Sequence, residues 1–448
     1  MYWDQERYGM LVPLLALPFR DWLANLLLQR GLLVLGGLAS VVLLARYALP
    51  RRSWLLAGLV GAASLLVLMP APWLFEYLGD QPYGLSAALV LAGLIAAEPR
   101  AGRRGAARLG AAAALCLLGH WVNAAAGLFL APVALARAAA DRLDGEPWHA
   151  VRTQLLVDLG LLGLGLAAGR ASIWLYPVVT GYQLRLDVGT WPVSAWPGML
   201  GKLLRNGVAG AGPAWPIAVG AAAAAGLVLP WRPVPGEGAI PPRARTAVRA
   251  LLLCAAALAY ALVTASLRWV SANEFHWRYL APPLLLVHLA GLSFLAEPLC
   301  RRPRALRPAL ALALILLPAA AVAAYGRPSL ARVRADLDAK LGTWTEDILA
   351  ARCDLVAGDY WSVWPAVWHA GWAAHRRGVP APYGITHRTN ATARFWKGRP
   401  PAELRICRVR GAEAQSEYWL RAFHLWPVRT VEERRTVEVA VPAEGAGP

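Results

Sequence analysis

The chain has 448 residues, of which 58% are hydrophobic and only 16% charged, with a formal net charge of +18. Length alone would allow two or three soluble domains, but so little charge argues against a soluble protein. The positive balance does not read as nucleic-acid binding, because no recognition motif of the usual kinds occurs and most basic residues are arginines set in short runs between apolar blocks.

Those blocks run to roughly 16–22 residues, enough to cross about 30 Å of hydrocarbon at 1.5 Å per residue. A soluble core helix would carry a polar stripe every 3.6 residues. Leu55–Met69, Leu251–Leu267, Leu284–Leu295 and Leu310–Ala324 carry almost none. The chain therefore reads as an α-helical polytopic membrane protein, its membrane domain over 1–327 and a soluble domain over 328–448.

Taken in order, the chain opens on Trp3-Asp4-Gln5-Glu6-Arg7-Tyr8-Gly9. No signal peptide precedes this motif, which reads like the interior of a protein. The expectation is a further transmembrane helix upstream. Residues 8–30 are apolar but interrupted by Pro13, Pro18, Arg20, Asp21 and Arg30. They read as one or two helices lying along the membrane face, with a core helix of the bundle as the competing view. Ten crossing helices follow, at about 31–48, 53–70, 83–98, 108–121, 122–138, 153–174, 208–230, 249–267, 279–298 and 307–325. Residues 108–138 are the weakest division, either a tight turn at His120-Trp121-Val122-Asn123 or one long tilted helix.

Alternate connections separate by charge. One set, including Arg51, Arg103, Arg142, Arg245 and Arg304, holds 18 basic residues, and the other, leaving aside the N-terminal segment, holds 5. The arginine-rich set is therefore expected in the cytoplasm, which puts the N-terminus and the soluble domain outside.

Ionisable residues near a membrane are functional candidates, because burying one unpaired is costly. On the outer side they gather in four places: Asp4–Arg7; Glu76–Gln81, with Asp80; the loop 175–207, with Tyr182, Gln183, Arg185, Asp187, Lys202 and Arg205; and Asn273–Tyr279, with His276, Arg278 and Tyr279. Each has a plain alternative. Asp4, Glu6 and Arg7 could be a solvated chain end, Arg278 could snorkel to headgroups, and Asp80 could cap a turn. His120 reads as a packing histidine. No HExxH or paired His/carboxylate spacing marks a protein-only metal site.

The acidic motif in the first outer loop, the surface helices after it and the Arg278-Tyr279-x-x-Pro282 element resemble the GT-C superfamily of membrane glycosyltransferases, as does a soluble domain following the last helix. The layout covers the whole chain, while only Asp4–Gly9 and Arg278–Pro282 carry the likeness as sequence. The resemblance implies transfer of a sugar from a polyprenyl-phosphate carrier to a glycan or lipid acceptor of the cell envelope, outside the bacterial cytoplasmic membrane. It assigns Asp4 as base, with Glu6 as its substitute. General-base catalysis by a carboxylate contributes about 10²–10⁴-fold. Arg278 would hold the phosphate, since guanidinium is always charged and matches phosphate with a two-pronged fork. Arg7, Asp80, Lys202, Arg205, His276 and Tyr279 would line the substrate site. Members of the superfamily differ in their use of a divalent ion. The alternatives are a non-enzymatic lipid or polysaccharide transporter or flippase, and a membrane scaffold whose outer domain binds partners. No repeat of the two-halves kind supports a transporter.

After Arg327 the pattern becomes that of a small α/β domain: a helix over 331–349, a strand at 353–358, a helix to about Arg377, and strands at 382–386, 404–409 and 430–441. Cys353 and Cys407 would form a disulfide if this domain faces an oxidising compartment. Trp361, Trp364, Trp368 and Trp372 form one helical stripe, read as packing on the domain's own sheet, docking on the membrane interface or stacking on a sugar. Asp359, Tyr360, His387 and Arg388 fall at strand ends, where α/β domains place ligands. Asn390-Ala391-Thr392 matches a glycosylation sequon, but the Ala- and Arg-rich composition suggests a high-GC bacterium, where such a match carries no weight.

Overall fold

A computed structural model describes residues 11–80, 82–99, 105–123, 125–180, 189–231, 240–327, 329–386, 404–422 and 425–443. The chain divides into two compact units, one built on Ala24–Gly326 and the other on Arg327–Pro448.

The first unit is helical. Its elements are α1 (Leu11–Ala16), α2 (Trp22–Ala48), α3 (Trp54–Leu68), α4 (Ala71–Leu74) running into a π-helical turn (Phe75–Asp80), α5 (Tyr83–Ala96), α6 (Ala106–Val122), α7 (Ala125–Leu143) and α8 (Trp148–Thr180). There follow α9 (Trp196–Ala211), α10 (Ala214–Val228), α11 (Pro242–Ser266), α12 (Arg268–Ala272), a 3₁₀ turn (Trp277–Leu280), α13 (Ala281–Cys300) and α14 (Pro303–Tyr325). Among the described residues, five helical stretches are long and apolar enough to cross a membrane: Trp22–Ala48, Trp148–Ala171, Pro242–Ser266, Trp277–Cys300 and the part of α14 from Arg307 onward. The bent pair around α9 and α10 makes a sixth if it is one broken span. Large apolar side chains such as Val228, Ile217 and Leu251 stand more than two-thirds exposed, as a lipid-facing surface requires.

Three expectations are corrected. Residues 22–30 do not lie apart as a surface helix, because they form the first turns of α2; only α1 is separate. The segment 175–207 is not all loop: α8 runs through Thr180 and α9 begins at Trp196. The single helix expected at 208–230 is broken at Gly212-Pro213, where the chain bends by 87°. Gly212 has φ 72°, which only glycine adopts freely, and Pro213 cannot continue the preceding helix. Residues 108–138 resolve into two helices, α6 ending at Val122 and α7 starting at Ala125.

Small residues set the helix spacing, as packing between membrane helices favours. A Cβ on Gly84 of α5 would stand 2.4 Å from the Cα of Gly37 on α2, and one on Gly226 would meet the Phe294 carbonyl on α13. Ser86 spans α5 and α6 by donating to the carbonyls of Gly119 and Asn123, at 2.8 and 3.0 Å. His120 is buried, its Nδ1 2.7 Å from the Cys116 carbonyl and its ring against Gly165.

At the arginine-rich helix ends, acidic residues meet the arginines. Glu98 pairs with Arg46 at 2.7 Å and with Arg137 at 2.8 Å, while Arg137 also pairs with Asp141. Arg137 stacks over the Tyr47 ring, whose hydroxyl donates to Asp158 at 2.6 Å. Arg249 pairs with Asp144 and Arg301 with Glu297.

The second unit is an α/β domain. Helix α15 (Leu330–Ala350) precedes β1 (Leu355–Ala357), α16 (Tyr360–Arg377), β2 (Tyr383–Ile385), β3 (Ile406–Val409), α17 (Glu413–Ala422), β4 (Val428–Glu433) and β5 (Val437–Pro442). The sheet order is β2-β1-β3-β5-β4, with β2, β1 and β3 parallel and β5 and β4 antiparallel. The stretch 430–441 is thus a hairpin of two strands rather than one. Cys353 and Cys407 form a disulfide, with Cα atoms 5.8 Å apart.

Candidate functional site

Arg278 occupies the 3₁₀ turn that leads into α13, at the opposite end of that helix from Arg301. Twenty residues of helix separate the two ends, about 30 Å at 1.5 Å per residue. The turn before it is tightly built. Glu274 and Phe275 both take left-handed backbone, φ 53° and 51°, which side chains other than glycine rarely adopt. Asn206 of α9 secures them, its Nδ2 donating to the carbonyls of both residues at 3.1 Å. Ser271 and Val270 carbonyls accept from their backbone N–H groups. Strain held in this way clusters at functional sites.

His276 caps the turn. Its Nδ1 accepts from the Arg278 N–H at 3.3 Å, so the ring must be neutral to serve. Burial first, and the Arg278 charge second, hold its pKa below the ordinary 6.5. The Arg278 guanidinium donates through Nη2 to Asn273 Oδ1 at 3.2 Å and to the Tyr279 hydroxyl at 3.3 Å, and it lies over the Tyr279 ring. Its Nη1 stands 4.0 Å from Glu76 Oε2, with 11% of the arginine side chain and 16% of the glutamate exposed. Glu76 sits on the π-helical turn, a rare geometry frequent at functional sites. Arg30 of α2 donates to the Gly79 carbonyl of the same turn, and the Tyr77 hydroxyl meets Ser40 at 2.9 Å. Tyr77 of that turn also lines a small, largely apolar cavity of about 10 Å³ with Tyr83, Asn123, Phe129 and Tyr260, about the space of one water.

The structure brings His276, Arg278 and Tyr279 together. Lys202 joins their rim, its ammonium 5.8 Å from the Phe275 ring centre. Arg205 is exposed on α9. Asp80 ends the π-helical turn, but its side chain lies outside the described residues, as do Asp4, Glu6, Arg7, Tyr182, Gln183, Arg185, Asp187, His387, Arg388 and the sequon at Asn390. Of the same turn, Glu76 is shown facing Arg278. Asn206 was missed altogether, since a lone asparagine in a small-residue helix carries no sequence signal. Among the described residues no group of three or more His, Cys, Asp or Glu is arranged to hold a metal.

In the α/β unit, Asp359 caps α16 by accepting from the N–H groups of Trp361 and Ser362, at 2.9 and 3.1 Å, which is an N-cap's structural task. Trp364 packs over Gly384 of β2. Trp368 and Trp372 are buried and stacked 6.0 Å apart, while Trp361 is 66% exposed. The stripe thus divides its roles along the helix. His369 is buried and ties α16 to α15 through Thr345 and Asp338.

Comparison with protein-family models and with curated proteins finds no match to this chain.

Proposed function

We propose that this chain is a GT-C-like membrane glycosyltransferase that moves a sugar from a polyprenyl-phosphate carrier to a cell-envelope acceptor on the outer side of the bacterial cytoplasmic membrane. The observation that carries the reading is Arg278, a guanidinium oriented by Asn273, Tyr279 and Glu76 at the helix end away from the arginine-rich connections. Sugar transfer breaks the bond between the anomeric carbon and the carrier phosphate, and the phosphate leaves with the electron pair. A fixed positive charge where that negative charge develops lowers the barrier. The acceptor hydroxyl loses its proton as it attacks, and a carboxylate takes it. Asp4 is the proposed base, with Glu6 as substitute, on the resemblance alone. Glu76 is a further carboxylate beside the proposed phosphate site. Lys202 and His276 flank it.

Two observations support the orientation. The 18 basic residues concentrate at one set of helix ends, as cytoplasmic connections do. The Cys353–Cys407 disulfide in the second unit fits a domain that matures outside the cytoplasm. Ten crossings, a 1–327 membrane domain and an outer 328–448 domain make up the proposed architecture.

The test is transfer of radiolabelled sugar from a polyprenyl-phosphate donor in membranes containing the full-length protein. Asp4→Asn and Arg278→Ala should each abolish or strongly reduce transfer while the protein stays folded in the membrane. Full activity in both variants overturns the assigned site. Carrier movement across vesicles with no transfer at all would favour the transporter reading.

A further inference from the structure

We infer that α9 lies in the headgroup layer of the membrane, on the side of Arg278, and binds anionic phospholipid through Lys202 and Arg205. At about 100° per residue, α9 presents three different faces. Leu203, Gly207 and Ala211 form the first and are buried. Here the protein packs closely: a Cβ on Gly207 would stand 2.0 Å from Leu280, and one on Gly210 2.7 Å from Trp277. The second face, roughly a quarter-turn round, holds Pro197, Leu204 and Val208, all exposed, Val208 by 58%. Val193 just ahead of the helix is 71% exposed. The third face, a further quarter-turn or so on, holds Arg205 and Lys202, both exposed, with Gly198 and Ala209 between them.

Protein on one side, open hydrocarbon on the next and positive charge on the third is the pattern of a helix lying in the interfacial plane. The bend fits that placement. α10 leaves α9 at 87°, so if α10 runs across the bilayer, α9 runs along it. No acidic residue occurs in α9, and Arg268, exposed and stacked over Trp191 at 5.6 Å, adds a third positive charge to the same loop assembly. Thr190 and Leu267 bridge the two loops, with the N–H of Trp191 donating to Ser266 and that of Arg268 to Gly189. A cluster of positive charge flanked by an apolar strip favours the phosphate headgroups of anionic lipid. The inference does not rest on sugar transfer.

Photo-crosslinking tests it directly. Full-length protein carrying benzoylphenylalanine at Val208 or at Gly198 is placed in nanodiscs of mixed phosphatidylglycerol and phosphatidylcholine and irradiated. Gly198 has open space around its Cβ position, so it tolerates the probe. Adducts on acyl-chain carbons, located by fragmentation, should be at least fivefold more abundant from position 208 than from 198, where the probe meets headgroups. In native mass spectrometry the wild-type protein should retain phosphatidylglycerol over phosphatidylcholine, and Lys202→Gln/Arg205→Gln should cut that preference several-fold. Both substituted side chains are exposed, so folding is not at stake. Equal acyl-chain adducts at the two positions overturn the orientation, and an unchanged lipid preference overturns the role of the basic face.

Discussion

Arg278 Nη1 and Glu76 Oε2 stand 4.0 Å apart across two distant segments of the chain, both side chains mostly buried. Removing one charge leaves the other without this counter-charge in a poorly solvated place, which costs about 1–3 kcal/mol or more for a charged group. Arg278→Ala should therefore destabilise the protein by that order in a thermal melt in detergent. Glu76→Gln in the same background should recover part of the loss. A double-mutant cycle reads the coupling; strictly additive costs would mean that the two groups do not interact.

His276 makes the site sensitive to acid. Its folded-state pKa is lowered below 6.5 by burial and by Arg278, so in acid the unfolded state binds the proton more readily. The stability of the turn is full above about pH 6.5 and falls as pH drops through that value toward the folded pKa. Protonation also removes the Nδ1 acceptor that holds the Arg278 N–H. His276→Asn keeps an accepting cap without the titration. Wild-type melting temperature should fall more steeply between pH 6.5 and 5 than that of His276→Asn, and parallel curves would exclude His276 as the cause.

The disulfide closes a loop with 54 residues of sequence separation. In the chain-entropy account such a loop is worth about 4 kcal/mol, and typical bridges give 2–4. Cys353→Ser/Cys407→Ser should lower unfolding stability of the α/β unit by about that much. Thiol alkylation followed by intact-mass measurement should modify three cysteines in the native sequence under denaturing, non-reducing conditions, since Cys116, Cys254 and Cys300 are free. Five modified cysteines would show the bridge is not formed.

Arg137 links Glu98 and Asp141 and covers the Tyr47 ring. Breaking a buried pair by removing one partner typically costs about 3–5 kcal/mol. Arg137→Ala should fall in that range in a detergent melt, while Arg137→Lys, which keeps the charge but not the planar fork, should lie between it and the native protein. A shift below about 1 kcal/mol, the size typical of exposed pairs, would place the network in solvent.

Much of the helical pattern could be read along the chain because a hydrocarbon-facing segment needs unbroken apolar character, as Leu251–Leu267 and Leu310–Ala324 have. The division at Asn123 and the break at Gly212-Pro213 were harder, since apolar runs continue on both sides and only backbone geometry separates them. Glu76 was legible only as the start of an outer-loop cluster, and its orientation toward Arg278 depends on a π-helical turn that no local pattern announces. Asn206 fastens the loop under His276, a contact between segments far apart in sequence.

By itself the sequence determined where apolar helices form, where arginine accumulates and where the α/β pattern begins, because hydrophobic length and charge placement are local properties of the chain. Only the tertiary structure decided which charges meet. It set Arg278 against Glu76, matched Glu98 with Arg46 and Arg137, bridged Cys353 to Cys407 and turned α9 at right angles to α10. Each of these joins or reorients residues through packing and backbone geometry, and such relations exist only once the chain has folded.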